Sequence, residues 1–424
     1  MNSESAVLGV RAQDGQGILT RAVLLQLLIL GGGYFFYALN RFAFPVGLKD
    51  IGLTYAFTSM QISALGTVFL LGQGIIDIPT GYMADHLNRR FLFFISMLCI
   101  GLTVICFTMF TNGFASAVFW RVIFGMAEGT FNICLFALAG ILLPKRRAFL
   151  NNLMGAFFAA GGFIGPILFG QLNAGSGQWQ LPLQIFAVAT MAYAFVMLFT
   201  LRVRDKDIPA IAFHKTKTPE GETFLGALIG LVKLPAMWKA MSIYIFNIIT
   251  HWGYAGVGAY MLTKVKGVDT IFAGGVIATA FGISPLVSPF LGYTADKLGR
   301  KWIIVVLSLI IAASVWVLFA SDVTYRPYLL IAAFLSGVGI NTIYWLGYTV
   351  VQDAVPPLYI GFATGLTGGC GYFLASFSGW ALGIVTQHFG HLTAVYGILM
   401  GCEILVALCA ILWIPSKPKL EDYA

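Results

Sequence analysis

The chain has 424 residues, of which 59% are hydrophobic and only 10% are charged. Soluble domains carry about 25% charged residues, so this composition excludes a soluble globular protein and indicates a polytopic membrane protein. The net charge of +8 does not indicate nucleic-acid binding, because the basic residues lie in short loops between apolar runs and not on one solvated domain.

Twelve apolar runs, each of about 20 residues or more, follow one another along the chain, and this is the length that a helix needs to cross a bilayer. They begin near residues 20, 60, 91, 113, 148 and 181, and then near 237, 270, 301, 327, 359 and 391. A polar segment around 202–223 has no spanning potential. We therefore predict an all-α protein of twelve transmembrane helices, with a six-helix bundle over 1–201, a linker over 202–236 and a second six-helix bundle over 237–424.

The linker is predicted to carry a short amphipathic helix. It begins with the capping sequence Thr218-Pro219-Glu220, and apolar residues recur from Phe224 to Val232. A helix of this kind lies on the membrane surface.

The distribution of basic residues predicts the orientation. With both termini and the linker in the cytoplasm, 19 of the 25 lysines and arginines lie on that side, four lie outside, and Arg41 and Arg121 lie within spans. The positive-inside rule favours this orientation over its inverse. We therefore place both termini in the cytoplasm, with the chain in a cell membrane, for which we predict the bacterial inner membrane.

The two halves of the chain repeat each other. The sequence GYMADHLNRR at 81–90 matches GYTADKLGRK at 292–301, and FGMAEG before Pro144 matches SGVGIN before Pro356 at nearly the same offset. Two matches at one offset indicate duplicated, pseudo-symmetric six-helix units. Such units in transporters hold a substrate at the membrane midplane and rock about it.

The loop after spans two and eight resembles the G-x-x-x-D-[RK]-x-G-R-[RK] motif of the major facilitator superfamily. The second copy matches fully, whereas the first has His86 and Asn88 in place of a basic residue and a glycine. The resemblance implies a twelve-helix transporter with alternating access. Each aspartate can sit against a helix N-terminus or an arginine of the neighbouring bundle and hold one conformer closed. Topology and lipid headgroups explain the basic residues of the motif equally well. We assign the following residues to gating: Asp77, Asp85, Arg89, Asp296 and Arg300.

A finer resemblance is to the anion:cation symporter family, which includes transporters of sugar acids and other carboxylates. Arg121-x-x-x-Gly125-x-x-Glu128 is similar to its arginine motif, YALNRFAFPVGLKDI to its segment in span one, and QGIIDIPTGYMAD to its segment in span two. The resemblance implies that Arg41 binds substrate and that Gln73 lies near the binding site. The family's acid before this arginine is Asn40 here, which leaves the coupling stoichiometry open.

Charged residues within the spans point to a polar cavity on a transport path. Arg121 and Glu128 are seven residues apart, on one helix face, and each would cost about 2.5–3.5 kcal/mol at the bilayer centre. Glu128 is our candidate proton carrier, because a buried carboxyl can be neutral in one conformer and ionised in another. A substrate anion that competes for Arg121 would promote the protonation of Glu128. The alternative is a permanent ion pair of Arg121 with Glu128 or with Asp77.

Tyr34, Tyr37 and Arg41 share one face of span one, where an arginine can bind a carboxylate through two hydrogen bonds. The alternative for Arg41 is a side chain that snorkels to the outer interface.

In the second half, span seven carries Tyr244, Asn247, His251 and Tyr254 on one face, and span ten carries an uncharged polar and aromatic wall. His251 can titrate near neutral pH or can be an ordinary interhelical hydrogen-bonding residue. Glu403 is the lone acid in span twelve, and the sequence does not explain its role. The predicted substrate-binding residues of this half are Asn247, His251, Asn341, Tyr344 and Trp345.

We therefore predict a monomeric importer of a small organic anion, a carboxylate or sugar acid, by proton symport. The alternative is a proton-coupled exporter of drugs or metabolites, because Gly161-Gly162-x-x-Gly165-Pro166 resembles an antiporter motif. A receptor or scaffold is disfavoured, since no large soluble domain is present. We expect no enzyme, cofactor or metal site, because no nucleophile–base pair, metal-ligand cluster or nucleotide loop occurs in the sequence.

Overall fold

The computed structural model describes residues 21–142, 144–201, 223–377 and 393–416, and within these ranges it contains helices and no strand. The predicted all-helical class is thus confirmed. The first half forms α1 (Arg21–Tyr55), α2 (Ser59–Thr67), α3 (Phe69–His86), α4 (Arg89–Phe110), α5 (Phe114–Leu142), α6 (Arg147–Ser176) and α7 (Gln180–Thr200). The second half forms α8 (Phe224–Val232), α9 (Pro235–Lys266), α10 (Thr270–Ala278), α11 (Ser288–Leu298), α12 (Arg300–Val315), α13 (Arg326–Ala354), α14 (Ile360–Ser376) and α15 (Thr393–Trp413).

Each predicted start of an apolar run lies within about two residues of the first described residue of a helix. Ten stretches of the described chain are long and apolar enough to cross a membrane, and a bent helix pair raises the number to eleven. Helix α14 has 17 described residues, and the next described helix begins at Thr393. The count of twelve spans and the cytoplasmic termini stay predictions.

The predicted surface helix corresponds to α8, which meets α9 at a bend of 80°. Its proposed start, Thr218-Pro219-Glu220, lies outside the described residues. Pro235 at the first turn of α9 lacks an N–H that would need a partner there, so it begins the longer helix at no cost.

The helices form two compact units, each of which contains residues from both halves of the sequence. Unit 1 is drawn from Met1–Lys145, Ala160–Gly230 and Pro356–Gly369, and unit 2 from Arg146–Ala159, Leu231–Val355 and Cys370–Ala424. Helices α6 and α14 therefore each contribute to both units. The domain limits at 201 and 237 remain predictions.

Two glycines allow α3 and α5 to touch backbone to backbone in unit 1. A Cβ on Gly72 would lie 2.1 Å from the Val122 carbonyl oxygen, and one on Gly125 would lie 1.9 Å from the Phe69 carbonyl oxygen. Small residues that permit close approach are typical of membrane helix pairs. This crossing brings the polar side chains of α3 next to those of α5.

The outside of the helices is apolar, as a bilayer requires. Large side chains such as Phe199, Phe290 and Leu412 are at least 70% exposed. In water, exposed apolar side chains of this kind would favour aggregation, whereas lipid chains cover them without penalty.

Candidate functional site

The first cluster of buried polar side chains lies in unit 1, where α1, α3 and α5 supply Tyr37, Arg41, Gln73 and Glu128. All four are at most 3% exposed. The Arg41 Nη1 donates to Tyr37 Oη at 2.7 Å, and it lies 3.3 Å from Gln73 Oε1 and 3.4 Å from Glu128 Oε2. The Gln73 Nε2 donates to the same Tyr37 hydroxyl at 3.1 Å. Four of the predicted site residues thus form one network.

Arg41 is anchored inside this network, and its guanidinium also lies 4.6 Å from the centre of the Phe69 ring. A snorkelling arginine carries its charge into water. The side chain of Arg41 is only 3% exposed, so the described structure does not place it in that way.

Tyr34 belongs to the same face of α1 but has a different partner. Its hydroxyl donates to Asn132 Oδ1 on α5 at 2.8 Å, and its ring lies 5.0 Å from that of Tyr37. Tyr34 therefore braces α1 against α5 and supports the ring of Tyr37 beside Arg41.

Arg121 is buried among aromatic rings. Its Cζ lies 3.9 Å from the centroid of Phe44, 4.7 Å from that of Phe69 and 4.9 Å from that of Phe124. Its Nε donates to the Leu65 carbonyl oxygen at 3.3 Å, and it makes no ion pair among the described residues. Ring faces attract a cation but supply no counter-charge, so Arg121 keeps its capacity to attract an anion.

Glu128 pairs with Arg41 and not with Arg121. Seven residues of one helix put about 10 Å between backbone positions, whereas the α1–α5 contact brings Arg41 directly to the carboxylate. The side chain of Glu128 is fully buried, and its Oε1 has no hydrogen-bond partner among the described residues. The alternative of a permanent Arg121–Glu128 pair is not what the structure contains.

Asp77 lies in α3, one helical turn after Gln73. It is fully buried, and neither carboxyl oxygen has a hydrogen-bond partner in the described part of the chain. A Cβ on Gly129 would lie 2.3 Å from Asp77 Oδ1, so the carboxyl packs against α5 next to Glu128. The backbone of Asp77 packs against α14, where a Cβ on Gly365 would lie 2.4 Å from the Asp77 carbonyl oxygen. The carboxyl itself lies eight residues, or about 12 Å of helix, before Asp85, and its gating role stays a prediction.

The predicted gating residues of the second repeat lie in unit 2. Asp296 accepts hydrogen bonds from the backbone N–H groups of Ala148 at 3.1 Å and Phe149 at 2.8 Å, in the first turn of α6. The Arg300 Nη2 donates to the same carboxylate at 3.2 Å. The free N–H groups and the dipole of a helix N-terminus favour an anion, so Asp296 acts as a charged cap for α6.

Asp353 extends this arrangement and was missed by the sequence analysis. The Arg147 Nη1 lies 2.9 Å from Asp353 Oδ1, and the Arg300 Nε lies 2.7 Å from Oδ2. A lone acid before Val355-Pro356 carries no motif, so only the fold reveals that it joins two arginines.

The first repeat builds the same cap in unit 1. Asp85 accepts from the backbone N–H groups of Gly361 at 2.9 Å and Phe362 at 2.7 Å, in the first turn of α14, and Arg89 Nη2 lies 3.5 Å from Asp85 Oδ1. The turn that follows the aspartate differs between the two repeats. Gly299 has φ of 96°, a conformation that favours glycine, whereas Asn88 has φ of −69° and caps α4 by accepting from the Arg90 N–H.

A cluster of hydroxyl-bearing rings occupies unit 2. Tyr244 and Tyr348 share a hydrogen bond of 2.8 Å, and Tyr344 and Tyr372 share another. The ring of His251 lies 5.1 Å from that of Tyr344. The indole of Trp345 covers Gly155 of α6, where a Cβ would lie 2.0 Å from its Nε1.

The two predicted asparagines of unit 2 do not join this cluster through the hydrogen bonds that the structure contains. Asn247 donates to Glu403 Oε1 on α15 at 3.2 Å. Asn341 donates to the carbonyl oxygens of Gly337 at 2.7 Å and Ala280 at 3.1 Å, which ties α13 to a π-helical turn over Thr279–Ile283. Their amides thus serve helix–helix contacts, and their substrate roles stay predictions.

The family model of the Major Facilitator Superfamily matches residues 30–379, with a second match over 270–423. The chain belongs to the Major Facilitator Superfamily. Members of this superfamily are transporters, so the chain is a multi-pass membrane transporter and not an enzyme.

Curated relatives of this transporter are distant in sequence, and two of the three alignments cover nearly the whole of both chains. A probable hexose phosphate transport protein of Chlamydia trachomatis is 23% identical over 92% of this chain and 91% of its own length. A protein of the same description from Chlamydia pneumoniae is 24% identical over 44% of this chain and 40% of its own length. The hexuronate transporter of Bacillus subtilis is 22% identical over 88% of this chain and 90% of its own length.

Solved structures of the superfamily share the fold. FucP in its outward conformation superposes with a TM-score of 0.72 at 14% identity, covering 92% of this chain and 98% of that one. The proton:xylose symporter XylE, bound to 6-bromo-6-deoxy-D-glucose, also has a TM-score of 0.72 at 14% identity, covering 94% and 98%.

Proposed function

We propose that this transporter imports a sugar acid or a related small organic anion by proton symport. The observation that carries the proposal is the buried network in which Arg41 binds Tyr37, Gln73 and Glu128 at once. A guanidinium can bind a carboxylate or phosphate through two parallel hydrogen bonds. The Tyr37 and Gln73 side chains beside it suit the hydroxyl groups of a sugar.

The coupling step follows from competition for Arg41. The Arg41–Glu128 contact is 3.4 Å long, which is loose for a charge-assisted hydrogen bond of about 2.7–2.9 Å. A substrate anion that replaces Glu128 on Arg41 leaves the Glu128 carboxylate buried without its direct ion-pair partner. A buried charge without a partner costs several kcal/mol, so Glu128 takes up a proton as the substrate binds. A monoanion and one proton then cross together by alternating access.

The relatives support this substrate class. A hexuronate transporter and two probable hexose phosphate transport proteins are among the proteins similar to this chain, and a proton:xylose symporter shares its fold. Hexuronates and hexose phosphates each combine an anionic group with hydroxyls. We also propose twelve spans, cytoplasmic termini, a monomeric transporter, the bacterial inner membrane, and gating by the two aspartate caps.

No observation in the described structure specifically favours the exporter alternative. The span-five run packs α6 against α1, where a Cβ on Gly161 would lie 2.2 Å from the Phe35 carbonyl oxygen. Close packing accounts for these glycines without a drug pathway.

Substrate-induced thermal stabilisation of the purified protein tests the proposal. We expect a hexuronate or hexose phosphate to raise the melting temperature, more strongly in acidic buffer, and Arg41→Lys to weaken the apparent affinity at least tenfold because lysine cannot bind in the same two-point manner. Glu128→Gln should retain binding and lose its pH dependence. Arg326→Lys is the control, since Arg326 is exposed and its contacts among the described residues are an ion pair with Asp269 and the face of the Phe272 ring, both in unit 2 and away from the Arg41 network. Stabilisation by amphipathic cations that is indifferent to Arg41 would contradict the proposal and favour the exporter.

A further inference from the structure

Glu403 is a carboxyl group in α15 that the transport scheme does not use. It is fully buried in unit 2. The Asn247 Nδ2 on α9 donates to Glu403 Oε1 at 3.2 Å. Two oxygens are left over at this contact, because Asn247 Oδ1 and Glu403 Oε2 have no hydrogen-bond partner among the described residues. Both are acceptors if the carboxyl is ionised, so they cannot satisfy each other in that state.

Glu403 makes no ion pair in the described part of the chain, so no cation there compensates its charge if it is ionised. Helix α12, which packs on α15, has no ionisable side chain after Lys301, and the other titratable side chains of α15 itself are Tyr396, Cys402 and Cys409, none of which is a cation.

The groups that α9 carries toward this region are also engaged. The Tyr244 hydroxyl pairs with Tyr348, and the ring of His251 lies against Phe281 and Tyr344. The Thr250 hydroxyl lies within 3.4 Å of the Leu399 carbonyl oxygen and also faces the Glu403 carboxyl, to which it can offer a hydrogen bond but no charge. A buried carboxylate without a counter-charge is far more costly than a neutral carboxylic acid.

We propose that Glu403 is an occupied proton-binding site, a carboxylic acid joined to the Asn247 carboxamide by two hydrogen bonds. The Asn247 N–H donates to Oε1, and a proton on Oε2 is donated to Asn247 Oδ1, which uses both leftover oxygens. This acid–amide pair fastens α15 to α9 within unit 2. The proton is resident and separate from the one that Glu128 would carry, so this inference does not rest on the proposed function.

Glu403→Gln tests the inference because glutamine has nearly the same shape, and one of its two N–H donors takes the place of the O–H of the acid. We expect this variant to melt at the wild-type temperature or higher. Its advantage should grow as the buffer becomes more alkaline, since a group that is protonated when folded and ionised when unfolded makes stability fall with rising pH. Glu403→Ala should melt earlier at every pH, because it leaves the Asn247 amide unpaired.

Infrared difference spectroscopy gives a direct readout that does not depend on stability. The spectrum of the wild type minus that of Glu403→Gln in neutral buffer should contain the C=O band of a protonated carboxylic acid. Carboxylate bands in its place would overturn the inference. So would a marked loss of stability in Glu403→Gln, or a melting temperature of the wild type that depends on sodium and becomes independent of it in the variant, since either result requires an ionised Glu403.

Discussion

Gly125→Ala tests the helix crossing on which the charged network depends. The added methyl would lie 1.9 Å from the Phe69 carbonyl oxygen, about 1.5 Å short of the 3.4 Å at which ordinary contact begins. The obstacle is backbone, so no side-chain rotation relieves the clash. Helix α3 must therefore move away from α5 by roughly the missing distance.

The expected cost follows from the kind of contact. Overpacking a well-packed interior costs typically about 1–3 kcal/mol, and a rigid carbonyl puts this site at the upper end, near 3 kcal/mol. A loss of this size lowers the melting temperature by roughly 6–12 °C if each kcal/mol is worth about 2–4 °C. The same displacement carries Gln73 away from Arg41, whose hydrogen bond is already 3.3 Å long, so the network loosens as well.

Thermal unfolding of the purified variants measures this effect. Gly170→Ala in α6 is the matched control, because a Cβ there would meet nothing within 4 Å. It should melt at the wild-type temperature or slightly above, since alanine is the better helix former by up to about 1 kcal/mol. If Gly125→Ala and Gly170→Ala melt within a degree or so of each other, the close α3–α5 crossing does not exist as described.

Two further substitutions probe neighbouring contacts by the same melting assay. Asp296→Asn replaces a charged cap of α6 by a neutral one and should lower stability by about 1–3 kcal/mol. The control Asp322→Asn changes an exposed acid whose charge acts on Lys266 through solvent, so it should cost less than about 1 kcal/mol, and equal melting of both variants would argue against the cap. Asn40→Asp removes the amide that donates to the Phe36 carbonyl oxygen at 2.8 Å and to Thr190 at 2.6 Å, so it should lower the free energy of unfolding by about 1–3 kcal/mol. It should not add a transported proton. An increase in protons per substrate in a flux assay would instead make position 40 part of the coupling path.

Hydrophobic length and motif spacing carried most of the fold prediction. Apolar runs show where helices begin, because the water-exposed ends of helices need caps and polar residues. The GYMADHLNRR and GYTADKLGRK repeats placed two aspartates at equivalent turns. The sequence could not reveal which helix N-termini these aspartates cap, since Asp85 reaches a turn 276 residues away and Asp296 one 147 to 148 residues away. Asp353 likewise has no signal until the fold brings two arginines to it.

The charged network was predicted in its members but not in its pairing. Helical periodicity places Arg121 and Glu128 on one face, yet two turns of helix separate them, and a partner from another helix reaches the carboxylate more closely. Periodicity also could not show that Arg121 would be held by Phe44, Phe69 and Phe124, because rings at three different places in the sequence form that pocket. In unit 2, the shared face of α9 concealed that Asn247 turns toward α15.

The net charge of the buried cluster in unit 1 constrains the coupling that we propose. Arg41 and Arg121 supply two positive charges, and Glu128 and Asp77 supply two negative charges when both are ionised. Asp77 differs from Glu403 in this respect, because the charge of Arg41 acts on it and no such cation acts on Glu403. The empty cluster is then neutral, and a bound monoanion leaves one negative charge, which is costly in a low-dielectric interior. One proton on either carboxylate restores neutrality, so a monoanionic sugar acid requires one proton. A dianionic sugar phosphate requires two, and the cluster holds a second carboxyl, Asp77, that has no hydrogen-bond partner among the described residues and can take the second proton. In the proposed scheme, the charge of the substrate, and not the replacement of an acid by Asn40, sets the number of protons that cross with it.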